Sequence, residues 1–220
     1  MIYYYSIHKK VINETIIQKS RFITYLFPIH TVHEAEEYLT QIRKEHPKAN
    51  HHCYAYHIES KDSVGIHKAN DDGEPSGTAG VPMLETLKKT SISHVLAVVV
   101  RYFGGIKLGS GGLIRAYGSA ISEAISKAQI IAHMDQIKFN VTLDYNQNDS
   151  FQNYLQTLDT VQILDTHYTQ HVTYTLACLP ENYSSLSQGL TNFLNGKCDI
   201  TTQGAFMIDV EIPLSDISNA

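Results

Sequence analysis

No run of about 18 apolar residues occurs in the 220-residue chain, so nothing in it is expected to span a membrane as a helix. The first residues, MIYYYSIHKK, lack the order of basic, apolar and small residues that marks a secretory leader, and no leader is expected. Cysteine is scarce. Cys53, Cys178 and Cys198 are odd in number, widely spaced and without a CxxC, which excludes a disulfide framework and a thiolate zinc site. Reduced thiols in a cytosolic protein are the expectation. Internal repeats, low-complexity tracts and long linkers are missing. So are GxxxxGK[ST], a strand-borne GxGxxG and GxSxG, which leaves no nucleotide motif and no serine-nucleophile elbow.

What is present describes an ordinary folded protein. Hydrophobic residues make up 43% and charged residues 18%, and the length allows one large domain or two modest ones with a proper core. The net charge of −5 conceals a split near Ala132. Residues 1–132 carry 15 Lys and Arg against 12 Asp and Glu, a net +3, whereas residues 133–220 carry 2 against 10, a net −8. Two domains with different partners, 1–132 and 133–220, are expected. The first suits an anion; the second repels a nucleic-acid backbone unless it faces away from it. Twelve histidines raise the question of metal. In the closest group, His51 and His57 share a strand face and His52 does not, a poor match to zinc-ligand spacing.

The first half reads as mixed α/β. Strands are expected over Val11–Ile16 and Arg21–Ile29, and the T-x-x-E pattern at Thr31–Glu34 opens a helix carrying Val32, Ala35, Leu39 and Ile42. His51–Ile58 and Val64–Lys68 read as strands. A turn-rich stretch, Asp71–Pro82, leads into a helix ending near Lys89, with Thr78 or Gly80 near its cap. The β-branched run in His94–Arg101 reads as a fully buried strand. After the loop RYFGGIKLGSGG, a long amphipathic helix is expected to reach about Ile131, with Leu113, Tyr117, Ala120, Ala124, Ala128 and Ile131 on one stripe. The second half gives strand Ile137–Tyr145, helix Asp149–Leu158, strands Val161–Tyr168 and Val172–Cys178 and helix Ser184–Leu194. It ends in a hairpin, Asp199–Thr202 with Phe206–Ile212, turning at Gly204. That order is βαββαβ, a ferredoxin-like unit.

Chemistry concentrates between Asp71 and Tyr117, where two glycine-rich loops each open a helix. The first contains Asp71, Asp72, Gly73, Glu74, Pro75, Ser76, Gly77 and Thr78. The second contains Arg101, Tyr102, Phe103, Gly104, Gly105, Lys107, Gly109, Ser110, Gly111 and Gly112 and continues to Arg115 and Tyr117. Helix starts offer unpaired N–H groups and partial positive charge, and glycine lets an anion approach the backbone. Arg101, Lys107 and Arg115 add charge-assisted contacts to phosphate, and Tyr102, Phe103 and Tyr117 are candidates to stack on bases. The same glycines also suit a purely structural loop. Asp71, Asp72 and Glu74 would repel an anion unless they hold Mg²⁺ or pair with Arg101 or Arg115. No other cofactor is expected, and Cys53 near His51 reads as an inert core thiol.

Four segments, KSRFI (Lys19–Ile23), HHCYAY (His51–Tyr56), DDGEPSGTAGVP (Asp71–Pro82) and VVVRYFGGIKLGSGGLIRAY (Val98–Tyr117), resemble the IMPACT family, whose bacterial members are the YigZ-type proteins. The resemblance covers essentially the whole chain. It implies an α+β protein of two domains. The N-terminal one is like the second domain of a small-subunit ribosomal protein, a β/α fold with a left-handed βαβ crossover. The C-terminal one is ferredoxin-like and similar to a domain of elongation factor G. The eukaryotic IMPACT protein regulates translation by blocking activation of a starvation-responsive initiation-factor kinase and has an extra N-terminal domain, which is not expected here; bacteria lack that kinase pathway, so the mechanism is not carried over. Nor is any catalytic residue set. The expectation is a cytoplasmic, translation-associated binding protein that meets RNA, the ribosome or a translation factor through Arg101–Tyr117. An enzyme or a nucleotide- or phosphate-binding protein acting on a small molecule, and a protein–protein adaptor, stand as alternatives.

Overall fold

A computed structural model describes residues 2–59 and 65–217. Two compact units are present. One holds Tyr3–His133 with the chain from Val210 on, and the other holds Met134–Asp209 with the first residues of the chain.

The first unit is built on a five-stranded antiparallel sheet. Its strands are β2 (Val11–Ile17), β3 (Ser20–Pro28), β4 (His51–Ile58), β5 (Ile66–Asn70) and β6 (Val95–Tyr102), in the order β2-β3-β6-β4-β5. Central β6 is buried from Val95 to Arg101, as its continuous apolar run requires of a strand covered on both faces. Helix α1 (Val32–Glu45) covers one face, burying Ala35, Leu39 and Ile42 against Tyr25, Phe27, Tyr54, Leu96 and Val98. Its capping box forms as the sequence predicts, with Glu34 N donating to Thr31 Oγ1 at 3.2 Å and Thr31 N to Glu34 Oε2 at 3.3 Å. Helices α2 (Gly80–Lys89) and α3 (Gly109–Ser126) pack together on the other face, where Tyr117 and Phe22 meet edge to face. Each fully buried Leu, Ile or Val here contributes about 1.5–3 kcal/mol relative to exposure.

The two helical crossovers in this sheet have opposite hands. β3 passes through α1 to parallel β4, stepping over β6. β5 passes through α2 to parallel β6, stepping over β4 the other way. Strand direction and sideways step both reverse between them, and so does the face carrying the helix. One crossover is therefore left-handed, against the general rule and in keeping with the ribosomal-protein-like fold.

The main differences from the sequence reading in this part of the chain concern the end of α3 and the first residues. α3 ends at Ser126 instead of near Ile131, because Ile130–Leu143 forms strand β7, whose burial alternates on either side of a slip at Ile137 and Lys138. The helical stripe thus ends before Ala128 and Ile131. The tyrosine-rich start, not read as an element, forms β1 (Ile2–Ile7), with Ser93 N donating to Tyr5 O at 2.8 Å. Val64, placed in a strand by sequence, lies outside the described residues.

The second unit has helices α4 (Asn148–Leu155) and α5 (Pro180–Phe193) and strands β8 (Gln162–Tyr168), β9 (Val172–Cys178) and β10 (Asp199–Ile212). The strand order β10-β7-β9-β8 is that of a ferredoxin-like βαββαβ unit. Phe139, Val141, Phe151, Leu155, Tyr174, Leu186 and Leu190 form its core. The expected hairpin at Gly204 is absent: β10 runs on through that residue, which takes φ +94° while its N–H donates to Thr202 Oγ1 at 3.2 Å. Glycine absorbs the irregular φ without ending the strand.

Candidate functional site

The two glycine-rich loops open α2 and α3 side by side, but their starts are not equivalent. Asp71 follows β5 directly, and its carboxylate accepts the N–H groups of Gly77 at 2.8 Å, Ala79 at 3.0 Å and Gly80 at 2.8 Å. The first N–H donors of α2 are therefore already satisfied from within the chain. Burial pushes the Asp71 carboxyl up, but the N–H groups of Gly77, Gly80 and Ala79 together hold it below its usual value. Its contribution is thus present at neutral pH and lost as acid protonates it. Replacing Asp71 by Ala is expected to cost about 1–2 kcal/mol in urea denaturation, the range of a lost helix cap.

The other two acidic residues also find partners. Asp72 takes the His52 N–H at 2.7 Å and Arg43 at 3.2 Å, and its own φ is +44°. Glu74, 8% exposed, binds Arg101, 4% exposed, in a buried ion pair. Pairing with arginine is thus what two of these carboxylates do. Among the described residues, no three His, Cys, Asp or Glu side chains are arranged to hold a metal.

Arg101 reaches this position because β6 alternates: Leu96, Val98 and Val100 face α1, and Arg101 faces α2 and α3. Its Nη1 meets Glu74 Oε1 and its Nη2 donates to Ser20 Oγ at 3.3 Å, while the guanidinium lies 5.2 Å from the Phe22 ring centre. Tyr117, fully buried, donates its hydroxyl to Glu74 Oε1 at 2.8 Å. The Cys53 thiol lies 3.3 Å from that hydroxyl and 3.0 Å from the Asp71 carbonyl. Burial pushes this thiol up to about 12, with the Tyr117 hydrogen bond opposing and Glu74 reinforcing the shift. Burial drives the Tyr117 phenol up as well. Neither is a nucleophile at neutral pH.

The start of α3 is open. Its cap residue Leu108 makes no side-chain hydrogen bond, and the first turn holds no acidic residue. Gly109 enters with φ +70°. Lys107 and Ser110 are exposed beside it, and Phe103 is 45% exposed. These residues line a cavity of about 380 Å³ whose other wall is His51, Glu74, Pro75 and Arg101. Across the loop, Gly104 presses on the β2–β3 turn, so a Cβ there would stand 2.0 Å from the Lys19 carbonyl carbon. Gly104→Ala is expected to cost about 1–3 kcal/mol, as overpacking against backbone does, read as a lowered urea midpoint.

The residues predicted from sequence thus divide. Phe103, Lys107, Gly109, Ser110, Glu74, Pro75 and Arg101 share the cavity. Two candidate stacking rings are elsewhere. Tyr117 is sealed in the core, and Tyr102 points to the α1 face, where its hydroxyl meets His46 Nδ1 at 2.9 Å. Arg115 lines a smaller hollow with Gln18, Leu108 and Gly112. Sequence reasoning missed His51 as a wall of the cavity, although its shared strand face with Cys53, two residues on, was a usable signal.

The Impact N-terminal domain model matches residues 18–125, and a domain of unknown function, DUF1949, matches residues 141–197. The chain is 41% identical over 197 residues to the IMPACT family member YvyE of Bacillus subtilis, spanning 90% of this chain and 89% of that one. The chain belongs to the IMPACT family. It is also 34% identical to the Escherichia coli family member YigZ, spanning 84% of this chain and 90% of that one. A solved structure described as a hypothetical protein is 32% identical, with TM-score 0.57, covering 91% of this chain and 97% of that one. This agreement across nearly the full length fits the two-domain α+β architecture. Among the described residues, no helix is long and apolar enough to cross a membrane.

Proposed function

We propose that this IMPACT family protein is a cytoplasmic, translation-associated binding protein that contacts RNA, on the ribosome or with a translation factor, through the loop from Phe103 to Lys107 and the start of α3. The observation that carries the reading is the uncapped, acid-free first turn of α3 beside exposed Lys107 and Phe103. Free N–H groups at a helix start attract a phosphate, a lysine adds charge, and an exposed ring offers a face to a base. The neighbouring α2 lacks this capacity because Asp71 occupies its start. Family membership and the ribosomal-protein-like fold support the link to translation by analogy.

Fluorescence anisotropy with a short oligoribonucleotide tests it. Affinity should fall steeply with salt, and Lys107→Glu should weaken binding about tenfold or more and flatten the salt slope. Absent or salt-insensitive binding overturns the RNA reading. A pulldown with and without ribonuclease then separates association through RNA from direct capture of a protein partner.

A further inference from the structure

The cavity holds a second feature that the RNA surface does not use. Glu74 has its side chain only 4% exposed, and Arg101 and Tyr117 both bind Oε1. Oε2 has no hydrogen-bond partner among the described residues and faces His51 Nε2 at 3.9 Å, beyond hydrogen-bond reach. His51 is oriented from behind. Its Nδ1 lies 2.9 Å from the Asp72 carbonyl, which only accepts, so Nδ1 carries a proton and Nε2, when it carries none, presents a lone pair toward Glu74. With Nε2 unprotonated, two acceptors 3.9 Å apart face each other in the wall of the cavity. Both atoms line the cavity, and a ligand with two adjacent hydroxyls can donate to each of them. The opposite wall has the reverse character, with the open N–H groups of α3, Ser110 and Lys107. Arg101 neutralises Glu74, so an anion on that wall is not repelled. Phe103 closes the set: Arg101 lies 5.6 Å from its ring centre, and its exposed surface is available at the rim.

Phosphate donors, a pair of hydroxyl acceptors and an aromatic surface together describe one phosphorylated ribonucleoside. We infer that the cavity between His51, Glu74 and the start of α3 binds a single ribonucleotide unit, its phosphate on α3 and its ribose diol between His51 Nε2 and Glu74 Oε2. The volume of about 380 Å³ lies within the range of small-molecule sites. This deepens the RNA reading and rests on it for the source of the nucleotide, which is either an RNA end or a free mononucleotide.

Calorimetric titration of the full chain with adenosine 5′-monophosphate, 2′,3′-dideoxyadenosine 5′-monophosphate, adenosine and inorganic phosphate tests the site. Anisotropy on one oligoribonucleotide with and without a terminal phosphate tests the source. The expected result is saturable binding of the monophosphate, with the dideoxy analogue and adenosine each at least tenfold weaker. Ser110→Glu places a carboxylate at the start of α3 on an exposed position and should abolish binding without lowering the melting temperature. His51→Ala should erase the preference for the diol, a readout that a merely structural histidine would not move. A preference for the phosphorylated oligonucleotide without monophosphate binding also supports the site, with an RNA end as its ligand. If the monophosphate does not bind and the two oligonucleotides bind alike with steep salt dependence, the nucleotide pocket falls and the RNA surface stands. If the monophosphate binds and no oligonucleotide does, the pocket stands and the RNA reading falls. Diol-independent binding, or binding unchanged in Ser110→Glu, overturns the pocket as drawn.

Discussion

Arg101→Ala is expected to lower unfolding stability by about 3–5 kcal/mol, the cost of stranding one partner of a buried ion pair. The guanidinium satisfies Glu74 and Ser20 at once, and Ser20 Oγ in turn takes the Gly104 N–H at 3.2 Å. Without it, Glu74 keeps the Tyr117 hydrogen bond but loses its counter-charge in an almost fully buried position. The double variant Arg101→Met with Glu74→Gln removes the stranded charge and keeps an acceptor for Tyr117. It should recover at least half of the loss, since replacing both partners of a buried pair is far milder than removing one. Urea denaturation of the wild type, Arg101→Met, Glu74→Gln and the double variant gives the coupling directly; additive losses would show that the pair is not the unit that matters. The same double variant separates two roles for Arg101. If its guanidinium met phosphate, the salt slope of RNA binding would drop in the refolded double variant. Because Arg101 is 4% exposed and committed, the slope should hold there and drop in Lys107→Glu.

The strongest local signals in the sequence were those with a single physical outcome. The capping box at Thr31 and Glu34, the apolar run of β6 and the βαββαβ order each admit few alternatives. The boundary after Ser126 was harder, because Ala128 and Ile131 satisfy a helical stripe while Ile130 and Ala132 satisfy a strand, and only tertiary burial decides between them. At the site, sequence located the two loops but not the division of labour between them. Asp71, Asp72 and Glu74 read as one acidic cluster, yet their carboxylates turn to α2, to His52 with Arg43, and to Arg101. Side-chain direction within a tight turn depends on the φ values of Asp72 and Gly73, both positive, and composition does not reveal these. Tyr102, Phe103 and Tyr117 looked alike as rings near a basic loop. The strand period sends Tyr102 to the α1 face, and α3 buries Tyr117.

Acid should destabilise the protein well before its ordinary carboxylates protonate, and His94 is the reason. It opens β6 from a left-handed backbone position, φ +53°, and is 9% exposed. Its ring stacks on Tyr4 at 3.7 Å between centres, with His133 on Tyr4 at 4.7 Å and His30 at 5.9 Å from His94. Its Nδ1 meets Ser93 Oγ at 3.0 Å. Burial first, then the neighbouring charges His30, His133 and His57 would carry if protonated, pull the His94 imidazole from 6.5 down to about 4. A histidine whose value is depressed on folding binds its proton more tightly when unfolded, so stability is full above about pH 6.5 and declines as the pH falls toward 4. The shift corresponds to roughly 3 kcal/mol, and solvent screening of a site near the surface reduces the expected loss to about 2 kcal/mol. Urea midpoints measured between pH 7.5 and 5 isolate this contribution, because most carboxylates are still ionised there. His94→Asn keeps a residue tolerant of the left-handed backbone and should flatten the decline while losing the Tyr4 stack. An unchanged slope in His94→Asn would assign the acid sensitivity to His57 or His46, whose values burial also lowers.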